Sequence, residues 1–308
     1  MLRTFYITLF SLLGGVLFAQ HTAFVLAGGV SLDAQKSMLT TQEDLQTTKL
    51  IRKGGLLLVE GKLDNSEKGW FILDTGSPGL LINDPSITSL TSDGSIGGAT
   101  GQTPFQTTQV GRLQVAGLIQ TKVSALALDL SFAEAHLNEE ILGVIGFAQL
   151  KDFPVNVSLS QNELGFGESR ISSTGVDDIA KYDFTMSGHL PILEANVGGQ
   201  WLDFVFDTGS GVNVIDQSYF KTLEDHIRGR PATRTLAGID NNPTQVPCAL
   251  VRLTLLEEET YTDRPFLFAN LSDVQAEAPN VAGLLGPAFW KSQSFTIDYQ
   301  HNQLIAYK

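Results

Sequence analysis

Two acids stand in the same unusual setting. "GWFILDTGSPGLLIND" (Gly69 to Asp84) and "LDFVFDTGSGVNVIDQ" (Leu202 to Gln217) each run apolar strand, Asp-Thr-Gly-Ser, apolar strand. Asp74 and Asp207 lie 133 positions apart. A carboxylate inside an apolar run is costly unless it is hydrogen-bonded. The tetrads offer partners. Gly76 and Gly209 permit a tight turn whose N–H groups face the acid. Ser77 and Ser210 carry hydroxyls that can donate to it, and Thr75 and Thr208 are stiff β-branched residues suited to bracing the turn. One such tetrad is compatible with a surface turn, whereas two in matching contexts point to a pseudo-twofold that brings Asp74 and Asp207 together. Two carboxyl groups sharing a site hold one proton between them. The ionised member can take a proton from a water while the protonated member donates to a carbonyl oxygen, which is general acid–base chemistry needing no metal or cofactor. Such a pair titrates as a unit.

The elements around the acids repeat as well. "GVIGFAQLKDFPVNVSLSQNELGF" (Gly143 to Phe166) matches "GLLGPAFWKSQSFTIDYQHNQLIAY" (Gly283 to Tyr307). Each has Gly-apolar-apolar-Gly, a short polar segment, a strand, an Asn-containing turn and a closing strand. The offset from Gly146 to Gly286 is 140, close to that of the acids. Internal repetition on this scale sets the architecture. The chain divides into two similar lobes, 47–170 and 189–308, joined by a linker at 171–188 ("ISSTGVDDIAKYDFTMSG"). Short β-rich runs such as "GLLLVEGKL", "KVSALALDL", "LPILEANV" and "VRLTLL", separated by Gly, Asn, Asp and Pro, predict a mostly-β protein rich in hairpins. Two short helices are expected, at Phe132 to Ile141 and at Asp216 to Ile227, the second capped by Asp216.

The chain resembles a two-lobed, single-chain aspartic protease whose lobes are of the lean retropepsin-like type, within the pepsin/retropepsin superfamily. The resemblance rests on Asp74-Thr75-Gly76, Asp207-Thr208-Gly209 and the Gly146 and Gly286 motifs, in that family's order, and covers most of the chain from about Gly55. It implies two β-barrel lobes related by a pseudo-twofold, with Asp74 and Asp207 as the catalytic dyad. It further implies that Thr75 and Thr208 hydrogen-bond across the lobe junction, and that Val144-Ile145-Gly146 and Leu284-Leu285-Gly286 cross behind the acid loops. Such enzymes cover the cleft with a glycine-rich hairpin. "SIGGATGQTPFQ" (Ser95 to Gln106), with Gly97, Gly98, Ala99, Thr100 and Gly101, occupies that place and could bond the backbone of an extended peptide. In the second lobe "RTLAGIDNNPTQVP" is less glycine-rich, which argues against two symmetric flaps. The first lobe lacks the tyrosine of pepsin-like flaps. The strand "FTIDY" has "VNVSL" as its counterpart, without the acid, so Asp298 reads as structural. The implied function is an aspartic endopeptidase. The alternative is a non-catalytic peptide-binding protein on the same fold, since a fold alone does not guarantee activity. Donation from Ser77 and Ser210 to the ionised acids would lower the pair's titration and predicts an acidic optimum.

The bulk properties bound the class of protein and disfavour some partners. The 308 residues are 43% hydrophobic and 17% charged, enough for a sizeable core. A net charge of -13 disfavours nucleic acid and anionic lipid as partners. Met1-Leu2-Arg3 followed by the uncharged "TFYITLFSLLGGVLFA" reads as an export signal at 1–19, cleaved near Ala19, giving a periplasmic or secreted protein. Sixteen residues fall short of the roughly 20 that span a bilayer, so a stable membrane anchor is not expected. Residues 20–46 form an extension, pro-segment or tether. Cys248, the single cysteine, excludes an internal disulfide and sits in a strand-like run as a buried thiol. His21, His136, His189, His226 and His301 are scattered without metal-ligand spacing. Arg228, Arg230 and Arg234 make a basic island expected in a solvated loop. No Gly-x-Ser-x-Gly elbow or phosphate-binding loop is present. With both acids on one chain, a monomer is sufficient.

Overall fold

The computed structural model describes residues 5–7 and 46–307, apart from 98–101, 168–178, 239–241, 258 and 291–292. Strands dominate. After β1 (Phe5–Ile7) the first half runs β2 (Thr47–Lys53), β3 (Leu56–Leu63), β4 (Gly69–Leu73), β5 (Leu80–Asn83), β6 (Gly94–Gly97), β7 (Gln102–Val115), β8 (Leu118–Leu128), helix α1 (Ser131–Leu137), β9 (Ile141–Ile145), helix α2 (Phe147–Leu150), β10 (Val155–Ser158) and β11 (Glu163–Phe166). The second half runs β12 (Ile179–Asp183), β13 (Thr185–Ser187), β14 (Leu190–Val197), β15 (Gln200–Phe206), β16 (Asn213–Asp216), β17 (Ile227–Ala237), β18 (Thr244–Leu256), β19 (Glu259–Ala269), helix α3 (Ser272–Glu277), β20 (Val281–Leu285), β21 (Ser294–Asp298) and β22 (Gln303–Tyr307).

These strands form two sheets, of thirteen and nine strands. The order β2-β3-β4-β9-β5-β8-β7-β6 in the larger sheet recurs, strand for strand, as β13-β14-β15-β20-β16-β19-β18-β17 in the smaller one. In both, the apolar strand that leads into an acid is paired in parallel with the strand that leads into a second-motif glycine: Leu73 with Ile145, Phe206 with Leu285. Parallel strands covered on both faces read as continuous apolar runs rather than alternating ones, which is why "WFIL" and "FVF" lack a polar face. The larger sheet continues as β11-β10-β21-β22-β12, so strands from the second half hydrogen-bond directly to the first, with Val157 opposite Phe295. One apolar core spans both halves, from Leu50 to Ala306. Beneath the second acid loop it holds Phe206, which meets Trp290 and Phe295 edge-on at 5.1 and 5.5 Å.

Several expectations change. The segment read as a linker is strand where it is described: β12 pairs with β22 and β13 with β14, burying Tyr182 and Phe184. Its Asp-Asp and Ser-Gly pairs mask the short apolar alternation that sheet pairing uses. Helix α1 stops at Leu137 because Asn138 takes the left-handed conformation, φ 48°. The helix expected over Asp216 to Ile227 is two separate 3₁₀ turns, Gln217–Tyr219 and Glu224–His226. Asp216 does cap the first, accepting from the Ser218 N–H at 3.0 Å. The arginine island lies on strand β17, not in a loop, and Arg228 pairs with Asp263. Cys248, on β18, is half-buried, and burial pushes its thiol up. Asp298 is structural, as expected: its carboxylate binds the turn N–H groups of Gln300 and His301. Among the described residues no helix is long and apolar enough to cross a membrane. β1 lies in parallel along the β17 edge, Phe5 opposite Thr235.

Candidate active site

Each acid sits at the end of a buried strand and is tied to the strand behind it. The Asp74 N–H donates to the Ile145 carbonyl and the Asp207 N–H to the Leu285 carbonyl, both at 3.0 Å. The chain then passes so close behind each acid loop that only glycine fits. A Cβ on Gly146 would lie 2.5 Å from the Ser77 carbonyl oxygen, and one on Gly286 would lie 2.1 Å from that of Ser210. Those are impossible contacts with backbone, so the two second-motif glycines set how near the acid loops approach their supporting strands.

The two loops are locked to each other by their threonines. The Thr75 N–H donates to Thr208 Oγ1 and the Thr208 N–H to Thr75 Oγ1, each at 3.0 Å. Each hydroxyl in turn donates across the junction, Thr75 to the Phe206 carbonyl at 2.7 Å and Thr208 to the Leu73 carbonyl at 2.8 Å. All four bonds are buried, and each links residues more than 130 positions apart.

This lock brings the carboxyls together. Asp74 and Asp207 are both 0% exposed. The Gly76 N–H donates to Asp74 Oδ1 and the Gly209 N–H to Asp207 Oδ1, both at 2.8 Å. A Cβ placed on Gly76 would be 3.0 Å from Asp207 Oδ1 and 3.2 Å from Asp74 Oδ1, and one on Gly209 would be 2.5 Å from both oxygens of Asp74. Each glycine is therefore the floor on which the opposite acid rests. The outer oxygens, Oδ2 of both acids, are buried and have no partner among the described residues. An unpaired buried carboxylate oxygen is expensive unless a proton, a water or a ligand meets it. Burial raises Asp74 well above the usual carboxylate range, and the Asp207 charge raises it further. Burial also pushes Asp207 up, to about 7. The pair thus keeps a proton that separate carboxyls would have lost.

The serine hydroxyls are not donors to the acids. Ser77 Oγ donates to the Gly79 carbonyl at 3.0 Å and Ser210 Oγ to the Val212 carbonyl at 2.6 Å. They close the loops on themselves, and the stabilisation of negative charge comes from backbone N–H groups instead. The acidic optimum expected from serine donation loses its basis.

Two groups near the acids carried no signal in the sequence. His189, one of five scattered histidines, places Nε2 2.9 Å from the Gly76 carbonyl oxygen. Tyr299 packs edge-on against Phe147 at 5.2 Å and Phe184 at 5.8 Å, and burial together with the two acids pushes its phenol up. Phe147 follows Gly146 and donates its N–H to the Ser77 carbonyl at 2.8 Å, so the aromatic group backs the first acid loop.

The glycine-rich segment does form a hairpin, β6 with β7, from Gly94 opposite Phe105 to Gly97 opposite Gln102. Ile96 and Phe105, one on each strand, are buried. Gly97 ends β6, while Gly98, Ala99, Thr100 and Gly101 lie outside the described residues. The second half has a hairpin at the same place in its strand order, β17 with β18, despite its lower glycine content. The chain matches no protein-family model, and no curated protein matches it.

Proposed function

We propose that this protein is an aspartic endopeptidase, two acid-protease-like lobes related by a pseudo-twofold, working as a monomer on peptide or protein substrates. The observation that carries the reading is the meeting of two wholly buried acids whose inner oxygens are fixed by glycine N–H groups and whose outer oxygens are unpaired. A water held between the outer oxygens would lose a proton to the ionised acid as it adds to a peptide carbonyl. The protonated acid would supply the proton that the carbonyl oxygen gains. As the C–N bond then breaks, the proton taken from the water would pass to the departing amine, and a hydroxyl of the intermediate would return its proton to the other acid. The chemistry draws on no metal or cofactor. In this reading the hairpin β6–β7 would serve as the cleft cover, and an extended peptide beneath it would be held by main-chain hydrogen bonds. Export is part of the proposal. Cleavage near Ala19 would remove β1 and leave β17 as a sheet edge, which N-terminal sequencing of the mature protein checks.

The competent state has one proton on the pair. With both acids raised by burial, that state forms as pH rises through about 7, so the proposed optimum is near neutral or above. Digestion of a peptide library across pH, together with binding of a statine-type peptide, tests the reading. Cleavage with an acid limb near neutrality and tight binding of the mimic are expected. Absence of both cleavage and binding would leave a protein of this fold without hydrolase activity.

A further inference from the structure

Each half opens on a two-residue hairpin turn that touches the acid loop of the other half. In the first half Gly54 and Gly55 join β2 to β3, between the paired residues Lys53 and Leu56. In the second half Gly188 and His189 join β13 to β14, between Ser187 and Leu190. The two turns are equivalent in strand order but make different contacts. Gly55, at φ 88°, lies so close to the second acid loop that a Cβ would be 2.3 Å from the Gly211 carbonyl oxygen, leaving no room for a side chain. His189 instead sends its ring to the first acid loop, with Nε2 2.9 Å from the Gly76 carbonyl oxygen.

A carbonyl only accepts, so Nε2 is the donor. Burial holds the imidazole below its usual range and therefore neutral, in the Nε2–H form. The Gly76 carbonyl and the Ser77 N–H are two ends of one peptide unit. Donation into the carbonyl polarises that unit and strengthens its N–H as a donor. That Ser77 N–H closes the acid turn on the Asp74 main-chain carbonyl at 3.2 Å, while the Gly76 N–H holds the Asp74 carboxylate at 2.8 Å. We infer that His189 is a positioning residue for Asp74, fixing the Gly76–Ser77 peptide through Gly76 and making the two acids inequivalent, since the matching turn offers the Asp207 loop only the Gly55 backbone. The inference rests on the reading of Asp74 and Asp207 as the working pair.

Three variants of the full chain test it: His189→Leu, which has no donor; His189→Asn, too short to reach Gly76; and His189→Gln, which can restore an N–H there. Three quantities are read: kcat and KM on a cleaved peptide, and the carboxyl ¹³C titration of Asp74. In the Leu and Asn variants kcat should fall about tenfold, as misplacement of a reacting group does. KM should stay within twofold, and Asp74 should titrate at higher pH. The Gln variant should stay within threefold of the wild type, with its Asp74 titration unmoved. The titration decides every case. An unmoved Asp74 in the Leu and Asn variants, or a Gln variant displaced as far as they are, overturns the inference. Should the protein cleave nothing, a displaced Asp74 in Leu and Asn but not in Gln sustains the positioning role while the protease reading falls. If the Leu variant does not fold, Asn against Gln is read by the same criteria.

Discussion

A carboxylate that burial lifts to about 7, as at Asp207, writes a pH dependence into stability as well as into chemistry. The folded protein retains a proton that the unfolded chain releases above about 4, the ordinary carboxylate value. That contribution is complete below the unfolded value and is lost as pH rises through about 7. The melting temperature should therefore fall between pH 5 and pH 8, and Asp207→Asn should flatten the slope. A wild-type melting temperature that rises over this interval would oppose the burial argument. The threonine lock makes a second prediction at this scale. Thr208→Val removes the acceptor of the Thr75 N–H and the donor to the Leu73 carbonyl. Each orphaned buried group costs about 1–3 kcal/mol, so a loss of at least ~2 kcal/mol is expected. Denaturant unfolding of Thr75→Val, Thr208→Val and the double variant should show strong non-additivity, because the two side chains share their bonds. At the residue scale the sequence was legible where types repeat: Asp, Thr and Gly of both tetrads meet as their order implied. It was illegible where a partner depends on rotamer. Nothing in "DTGS" shows that Ser77 and Ser210 turn to their own loop carbonyls, or that His189, 113 positions from Gly76, reaches its carbonyl.

The second-motif glycines belong to the scale of elements, because what they decide is the distance between a strand and a loop. Gly286→Ala would press a methyl carbon to 2.1 Å from the Ser210 carbonyl oxygen and 2.9 Å from that of Val212. Backbone must move to admit it, and overpacking of this kind costs about 1–3 kcal/mol or more. The loss should appear in urea unfolding and should disturb Asp207 more than Asp74. Gly188→Ala is the contrasting control: nothing lies within 4 Å, and only its φ of 61° resists the change. An equal cost for both would contradict the packing account. The strands that carry the acids were legible because their apolar runs are continuous and doubled. β12 and β13 were not, since each is short and is specified by its partners β22 and β14 rather than by its own pattern. Likewise the run Asp216 to Ile227 has helical spacing yet breaks into two turns.

The whole molecule is held as one unit by strands that cross between halves. β21 pairs with β10, and the Thr296 hydroxyl donates to Asn156 Oδ1 at 2.7 Å while the Leu159 N–H donates to the Ser294 hydroxyl at 2.9 Å. With the apolar core also shared, calorimetry should show a single cooperative transition, and residues 47–170 expressed alone should not reach a folded state. Two independent transitions would contradict the shared core. The repeated strand order could be anticipated from the offsets 133 and 140. The exchange of β21 and β22 into the other half's sheet could not, because a strand pattern does not name its neighbour. The central claim is that Asp74 and Asp207 hydrolyse peptides together, and it is tested most directly by kcat/KM for one cleaved peptide in the wild type, Asp74→Asn and Asp207→Asn, each checked for an unchanged far-ultraviolet spectrum. Loss of an acid–base partner is worth about 10²–10⁴-fold, so each single variant should fall by at least that much. A rate within tenfold of wild type in either variant would contradict the account.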